Sequence, residues 1–326
     1  MLHKLNKNLS KNMIAYTFLA IISWLILWKI FDLTFLSKLV LPIVFLLIYP
    51  MMINLSLTAL KKIKWSSKPL VEAMFVNFLF APILMYFLTY IFWLDPKISI
   101  ALMLLALSPA SSMGLGYIGL AKWNMLTWAI IVAFAFISSI FVYPLACHYL
   151  ALWSNIQVPI SLILKNLLLI LILPLILWII TREYIERKHW WEKFKEIKHI
   201  FSTITLIALY LLIFVIFASK ADLIIQNYKN ILLLLPVAAL FYSFLVLILL
   251  FVNKKIFNFE YGHHQSVIFT SVAKNIALTI AILIAVFWKE WQYLAVFPAI
   301  MSLFQAPFLM IYLKFSPKIE KWFSLK

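Results

Sequence analysis

The chain has 326 residues, of which 66% are hydrophobic and 12% charged, with a formal net charge of +17 and one cysteine, Cys147. A mean hydropathy of +1.04 excludes a soluble globular domain, and a single thiol excludes an intrachain disulfide framework or a cysteine-rich metal site. A Lys and Arg excess in such a chain is the signature of cytoplasmic loops, so nucleic acid is not expected as a partner.

Ten apolar segments are long enough to cross a bilayer, at 13–31, 39–60, 70–93, 98–120, 125–149, 160–180, 200–218, 231–252, 265–288 and 293–313. The first follows a short basic head with no small-residue cleavage site after it, and reads as a retained span. The longest connection, 181–199, is rich in Lys, Arg and Glu and reads as a loop. Of the basic residues, 20 lie at the termini and in loops after even-numbered spans, against 6 around the loops after odd-numbered spans. The positive-inside rule then predicts a multi-pass protein of the cell (inner or plasma) membrane with both termini cytoplasmic.

Span three carries Asn77, five residues before Pro82. A lone buried Asn serves as helix glue or as a ligand. Glu72 lies close to the Lys68-Pro69 loop and is expected to reach the interface. Span four holds three of the four glycines, Gly114, Gly116 and Gly119, just after Pro109-Ala110-Ser111-Ser112. Proline removes a donor and crowds the preceding turn, and glycine tolerates the bend, so this span is predicted to break.

Span nine carries Lys274 at about nine residues from its start, roughly 14 Å deep in a hydrocarbon core about 30 Å thick. A lysine there costs on the order of 3 kcal/mol and is too deep to snorkel. It should face protein or a water-filled cavity, where an intramembrane charge marks a substrate or ion path; the alternative is a structural lysine that caps helix ends. Thr270, Ser271 and Asn275 surround it. Gln305 in span ten is a candidate of the same kind as Asn77. His263-His264, at a loop–membrane boundary, read as interfacial.

Shifting the chain by 163 residues aligns spans four and five with nine and ten. Between 271 and 313, 12 of 43 positions match without a gap, among them Ser108 with Ser271, Ser139 with Ser302 and Pro144 with Pro307. Ser111-Ser112 then face Lys274-Asn275. Five spans per half is an odd number, so the copies enter the membrane in opposite senses. The expected fold is an all-α polytopic membrane protein of ten transmembrane helices. It divides into two inverted five-helix repeats, 1–163 and 164–326, with broken helices four and nine crossing at mid-depth. Half-helix N-termini and Lys274 there suit an anion. The acidic residues all lie in loops or near span ends, so no carboxylate partner for Lys274 and no carboxylate cage for a metal is expected. Neither a Walker loop nor an intramembrane Ser-His pair is present, so no enzyme and no cofactor are expected.

These features resemble the bile acid:sodium symporter superfamily, which includes the arsenical-resistance carriers. The resemblance is carried by Pro109-Ala110-Ser111-Ser112 in span four, Lys274-Asn275 in span nine, and Leu47-Ile48-Tyr49-Pro50-Met51-Met52 in span two. Val76-Asn77-Phe78 with Pro82, and Phe259-Glu260 ten residues before Thr270-Ser271, add to it. It implies an elevator-like carrier whose core, spans three to five and eight to ten, moves against a panel of spans one, two, six and seven. Substrate would sit at the crossing of spans four and nine.

The chain also departs from the family pattern. Sodium-coupled members keep a Glu four residues before a Gln-Asn pair, and those positions here resemble Thr270, Lys274 and Asn275. Their span-four Ser-Asn is replaced around Gly114-Leu115. Arsenical carriers keep a Cys after the span-four proline, where this chain has Ala110, and a Glu where it has Asn275. The expected function is secondary transport of a small organic anion without the family's sodium sites, with Lys274 as a built-in cation or a proton-coupling group. The alternatives are an arsenite or metalloid efflux carrier, and a non-transporting membrane receptor or assembly protein. The expected partners are the anion, protons and the lipid bilayer; the sequence assigns no oligomeric state.

Overall fold

The computed structural model describes residues 34–52, 57–110, 124–153, 168–187, 191–219, 221–286 and 293–324, with scattered positions between 8 and 27 and at 161 and 165. The described residues are helical throughout and form no strand. Most of the predicted first span, 13–31, lies outside them, as do residues 111–123 around the end of span four.

Helix α1 is Val40–Met52. Next come α2, Ser67–Phe75, and α3, Ala81–Ile91, joined without interruption by a π-turn, Val76–Phe80. Pro82 has no N–H to return to the preceding turn and its ring crowds the carbonyl four residues back. The wider π-turn relieves that crowding, with the Ala81 N–H reaching Val76 O. Val71, Phe75, Leu79, Ile83 and Phe87 recur every four residues along this rod, and all are exposed. Ala73, Asn77, Ala81 and Met85 on the other side are fully buried. The rod is apolar on its outside and carries its amide inward, as a helix in lipid must.

Helix α4, Pro96–Ala106, starts with Asp95 accepting from the Lys97 N–H at 2.8 Å and Pro96 in its first turn. Seven of its residues from Ile98 to Ala106 have no exposed surface, so it runs through the middle of the protein. It stops before Pro109, which disfavours helical geometry at Ser108. Helix α5, Met125–Trp153, is capped by Asn124, whose Oδ1 accepts from the Thr127 N–H at 3.0 Å.

Helices α6, Leu173–Arg187, and α7, Trp191–Ser219, extend into the segment read from sequence as the longest loop and leave only 188–190 between them. Residues 181–187 and 191–199 are therefore helical. After α8, Ala221–Gln226, helix α9 spans Tyr228–Phe251 and continues as a second π-turn, Val252–Ile256. Span nine is two helices, α10, Tyr261–Val272, and α11, Ile276–Val286. Helix α12 runs Val296–Ser324.

Among the described residues four stretches are long and apolar enough to cross a bilayer: Ser67–Ile91, Met125–Leu150, Tyr228–Ile256 and Tyr293–Ser324. With the interrupted apolar helices between them they make a polytopic membrane protein. Packing falls into two groups. Helix α7 lies along α1, and α6 joins them; α2–α3, α4, α5, α9, α10, α11 and α12 pack among themselves. Helix α11 touches α1 and α12 touches α7, bringing the groups together.

Candidate functional site

The break in span nine is built by its own sequence. Ala273 adopts φ −79° and ψ 76°, the geometry of an inverse γ-turn, and the Lys274 N–H turns back to Val272 O at 2.9 Å. The same N–H donates to Gln305 Oε1 at 2.9 Å, and Gln305 Nε2 donates to Lys274 O at 3.3 Å. On the other side Lys274 forms an isolated antiparallel bridge with Ala110. The Asn275 N–H donates to Pro109 O at 3.0 Å and to Ser108 Oγ at 2.9 Å. Asn275 then caps α11, its Oδ1 accepting from the Leu278 N–H at 3.1 Å. The stop of α4 and the break between α10 and α11 therefore lie against each other.

Lys274 is completely buried. Its Nζ donates to Asn77 Oδ1 at 2.6 Å, and Asn77 Nδ2 donates to Thr270 O at 3.3 Å. In an unbroken helix the Thr270 carbonyl would receive the Lys274 N–H; the break orphans it, and Asn77 fills the vacancy. One amide thus serves both the charge and the interruption. The ammonium lies beside the C-terminal end of α10, whose partial negative charge favours a cation. Among the described residues no carboxylate contacts it.

The residues singled out from sequence divide as follows. Lys274, Asn275, Asn77, Thr270 and Pro109 come together. The Thr270 hydroxyl turns back to Ser266 O at 2.7 Å and Val267 O at 3.1 Å, inside its own helix. Ser271 is fully buried beside the break, and its Oγ has no partner among the described residues. Ser111, Ser112, Gly114 and Gly116 lie outside the described residues.

Sequence reading missed Tyr143 and Thr279. Fully buried Tyr143 donates to Leu104 O at 3.3 Å and stands within hydrogen-bonding reach of Ser108 and Thr279. Thr279 Oγ1 donates to Asn275 O at 3.2 Å. The available signals were the position of Tyr143 just before Pro144 and that of Thr279 one turn after Asn275.

Two expectations are corrected. Glu72 does not reach the interface; it is 4% exposed. His264 is fully buried, while His263 is half-buried and pairs through Nδ1 with Thr127 Oγ1 at 2.8 Å. Nearness to a loop in sequence fixes depth, but the rotation of a helix decides whether a side chain faces lipid or protein.

Buried polar groups are thus gathered at paired helix interruptions, among helices of bilayer length. The family model described as "Sodium Bile acid symporter family" matches residues 41–227. Over 213 residues the chain is 26% identical to an uncharacterized transporter of the cyanobacterium Synechocystis sp., a match covering 58% of this chain and 55% of that protein. The chain therefore spans about half the length of this curated relative. It belongs to the sodium bile acid symporter family. The matched region contains Asn77 and Ser108–Ala110; Lys274 and Gln305 lie beyond it.

Proposed function

We propose that the protein is a secondary active transporter of a small organic anion, in which the Lys274 ammonium does the work of a bound cation. The carrying observation is the Lys274–Asn77 contact inside the break. A desolvated ammonium is costly, and one neutral amide oxygen occupies one of its three donors. An anion would satisfy the others, aided by the N-terminal end of α11 and the unpartnered Ser271 hydroxyl.

The reading includes ten spans in two inverted repeats, 1–163 and 164–326, with both termini cytoplasmic in the cell (inner or plasma) membrane. Alternating access is an elevator motion of spans three to five and eight to ten against spans one, two, six and seven. The division of packing between the α1, α6 and α7 group and the remaining helices supports that assignment. The family's sodium sites are not used: by resemblance, Thr270 and Lys274 stand where sodium-coupled members carry Glu and Gln. Lys274 acts as a built-in cation or as a proton-coupling group.

The test is a thermal-shift screen of purified protein against mono- and dicarboxylates, sulfonates and phosphates, with sodium replaced by potassium and pH varied. At least one anion class should stabilise the wild type without sodium and leave Lys274→Met unchanged. Sodium-dependent stabilisation that survives Lys274→Met would overturn the reading.

A further inference from the structure

A second buried polar cluster lies one and a half turns from Asn77 along the same rod. Glu72 on α2, Asn253 in the π-turn after α9, His264 on α10 and Tyr312 on α12 are all buried. Four helices each send one polar side chain to a single place.

The hydrogen bonds set the orientation of each group. The Asn253 Nδ2 donates to Leu249 O at 3.0 Å and to the Glu72 carboxylate, and its Oδ1 accepts from His264 Nδ1 at 2.9 Å. The reverse amide orientation would set Oδ1 against two acceptors. His264 therefore carries its proton on Nδ1, and its Nε2 accepts from the Tyr312 hydroxyl at 3.0 Å. Its ring stacks on Phe323, with centroids 4.3 Å apart.

The surrounding titratable groups are engaged elsewhere. Tyr261 donates to Ser316 O at 3.3 Å and is influenced by Glu320. Lys254 Nζ donates to Phe323 O at 3.1 Å, and His263 turns to Thr127. Lys61, Lys62, Lys64, Lys68, Lys255 and Glu260 are exposed. Among the described residues no cation contacts the Glu72 carboxylate.

We propose that Glu72, held by Asn253, which His264 and Tyr312 orient in turn, is a proton-binding site of this transporter, separate from Lys274 and coupled to it. The ligand is a proton and not a metal cation, because the Asn253 amide turns its N–H face, not its oxygen, to the carboxylate. The incoming proton adds to one Glu72 oxygen while Asn253 keeps its bond to the carboxyl group. Glu72 and Lys274 carry opposite charges inside one low-dielectric helix bundle, Glu72 lying on the same rod as Asn77, the partner of Lys274. Ionised Glu72 offsets Lys274; protonated Glu72 leaves the Lys274 charge uncompensated and better suited to an anion. Proton binding at one site and anion binding at the other favour each other, as linkage requires. The coupling to an anion rests on the function proposed above; the proton site itself does not.

The test is infrared difference spectroscopy of the protein in nanodiscs across a pH series, with no organic anion present. A buried protonated-carboxyl band should form as pH falls and be lost in Glu72→Gln. In Lys274→Met it should persist to a pH higher by on the order of one unit, tenfold in proton affinity, because an opposing charge is gone. Asn253→Ala and Tyr312→Phe should each change the band, and they carry the test if Glu72→Gln is not recovered folded. A pH series with no band sensitive to these substitutions would overturn the site, and an unshifted band in Lys274→Met would overturn its coupling. Neither result depends on the anion screen, so failure here and failure of the anion-carrier reading are separately visible.

Discussion

The Lys274 ammonium meets the Asn77 amide oxygen at 2.6 Å across 197 positions of sequence. Asn77 also holds the carbonyl that Lys274's own backbone abandons when α10 ends. The charge and the break are therefore one structural unit, and substitutions at either residue should act together.

Asn77→Leu leaves a buried ammonium and the Thr270 carbonyl both unpaired. It should destabilise the protein by on the order of 3 kcal/mol, read as a lowered denaturation midpoint in detergent. Adding Lys274→Met should recover part of that loss, because the stranded charge is removed as well. A double-mutant cycle that is additive within about 0.5 kcal/mol would show that the contact is not energetically coupled.

Gln305→Glu keeps an acceptor for the Lys274 N–H, loses the donor to Lys274 O, and places a carboxylate against the Lys274 backbone. Stability should change by about 1–2 kcal/mol, while stabilisation by any anion should weaken because a negative charge is added at the break. Isothermal titration with the best anion from the screen decides this, and undiminished binding would count against Lys274 as the anion's partner.

Sodium should have no specific effect on the wild type: melting temperatures in NaCl and KCl should coincide. The double variant Thr270→Glu with Lys274→Gln restores the residue types that sodium-coupled relatives resemble one another in keeping. It should gain a sodium-specific stabilisation of about 1.4 kcal/mol at tenfold the dissociation constant. Equal melting in both salts would mean that the cation site needs more than these two side chains.

Leu79 lies on the exposed stripe of the α2–α3 rod. Leu79→Arg should lower membrane insertion by about 3 kcal/mol near mid-depth, seen as reduced yield in the membrane fraction. The same substitution should be tolerated far better if that face lines a water-filled path.

Much of the helical plan was legible because hydropathy and proline positions are local properties. The depth of Lys274 and the stop at Pro109 follow from counting residues. The partner of Lys274 was not legible, since Asn77 and Gln305 looked alike until packing gave one the side chain and the other the backbone. Glu72 and His264 were misplaced for a related reason. Each lies near a loop, and the signal that Glu72 turns inward is the four-residue lipid stripe beside it, which leaves its position off the exposed face. The π-turn that sets Asn253 against it has no comparably direct signature.

A break in a membrane helix is commonly pictured as a joint. Here the Lys274 N–H, the Lys274 carbonyl, the Asn275 N–H and the Thr270 carbonyl are all laced to Gln305, to Pro109 and Ser108, or to Asn77. Flexing at that point would release several bonds of about 1 kcal/mol each, so the interruption behaves mechanically as a weld. Any large motion of this molecule therefore meets resistance at the place where its most conspicuous helix is cut.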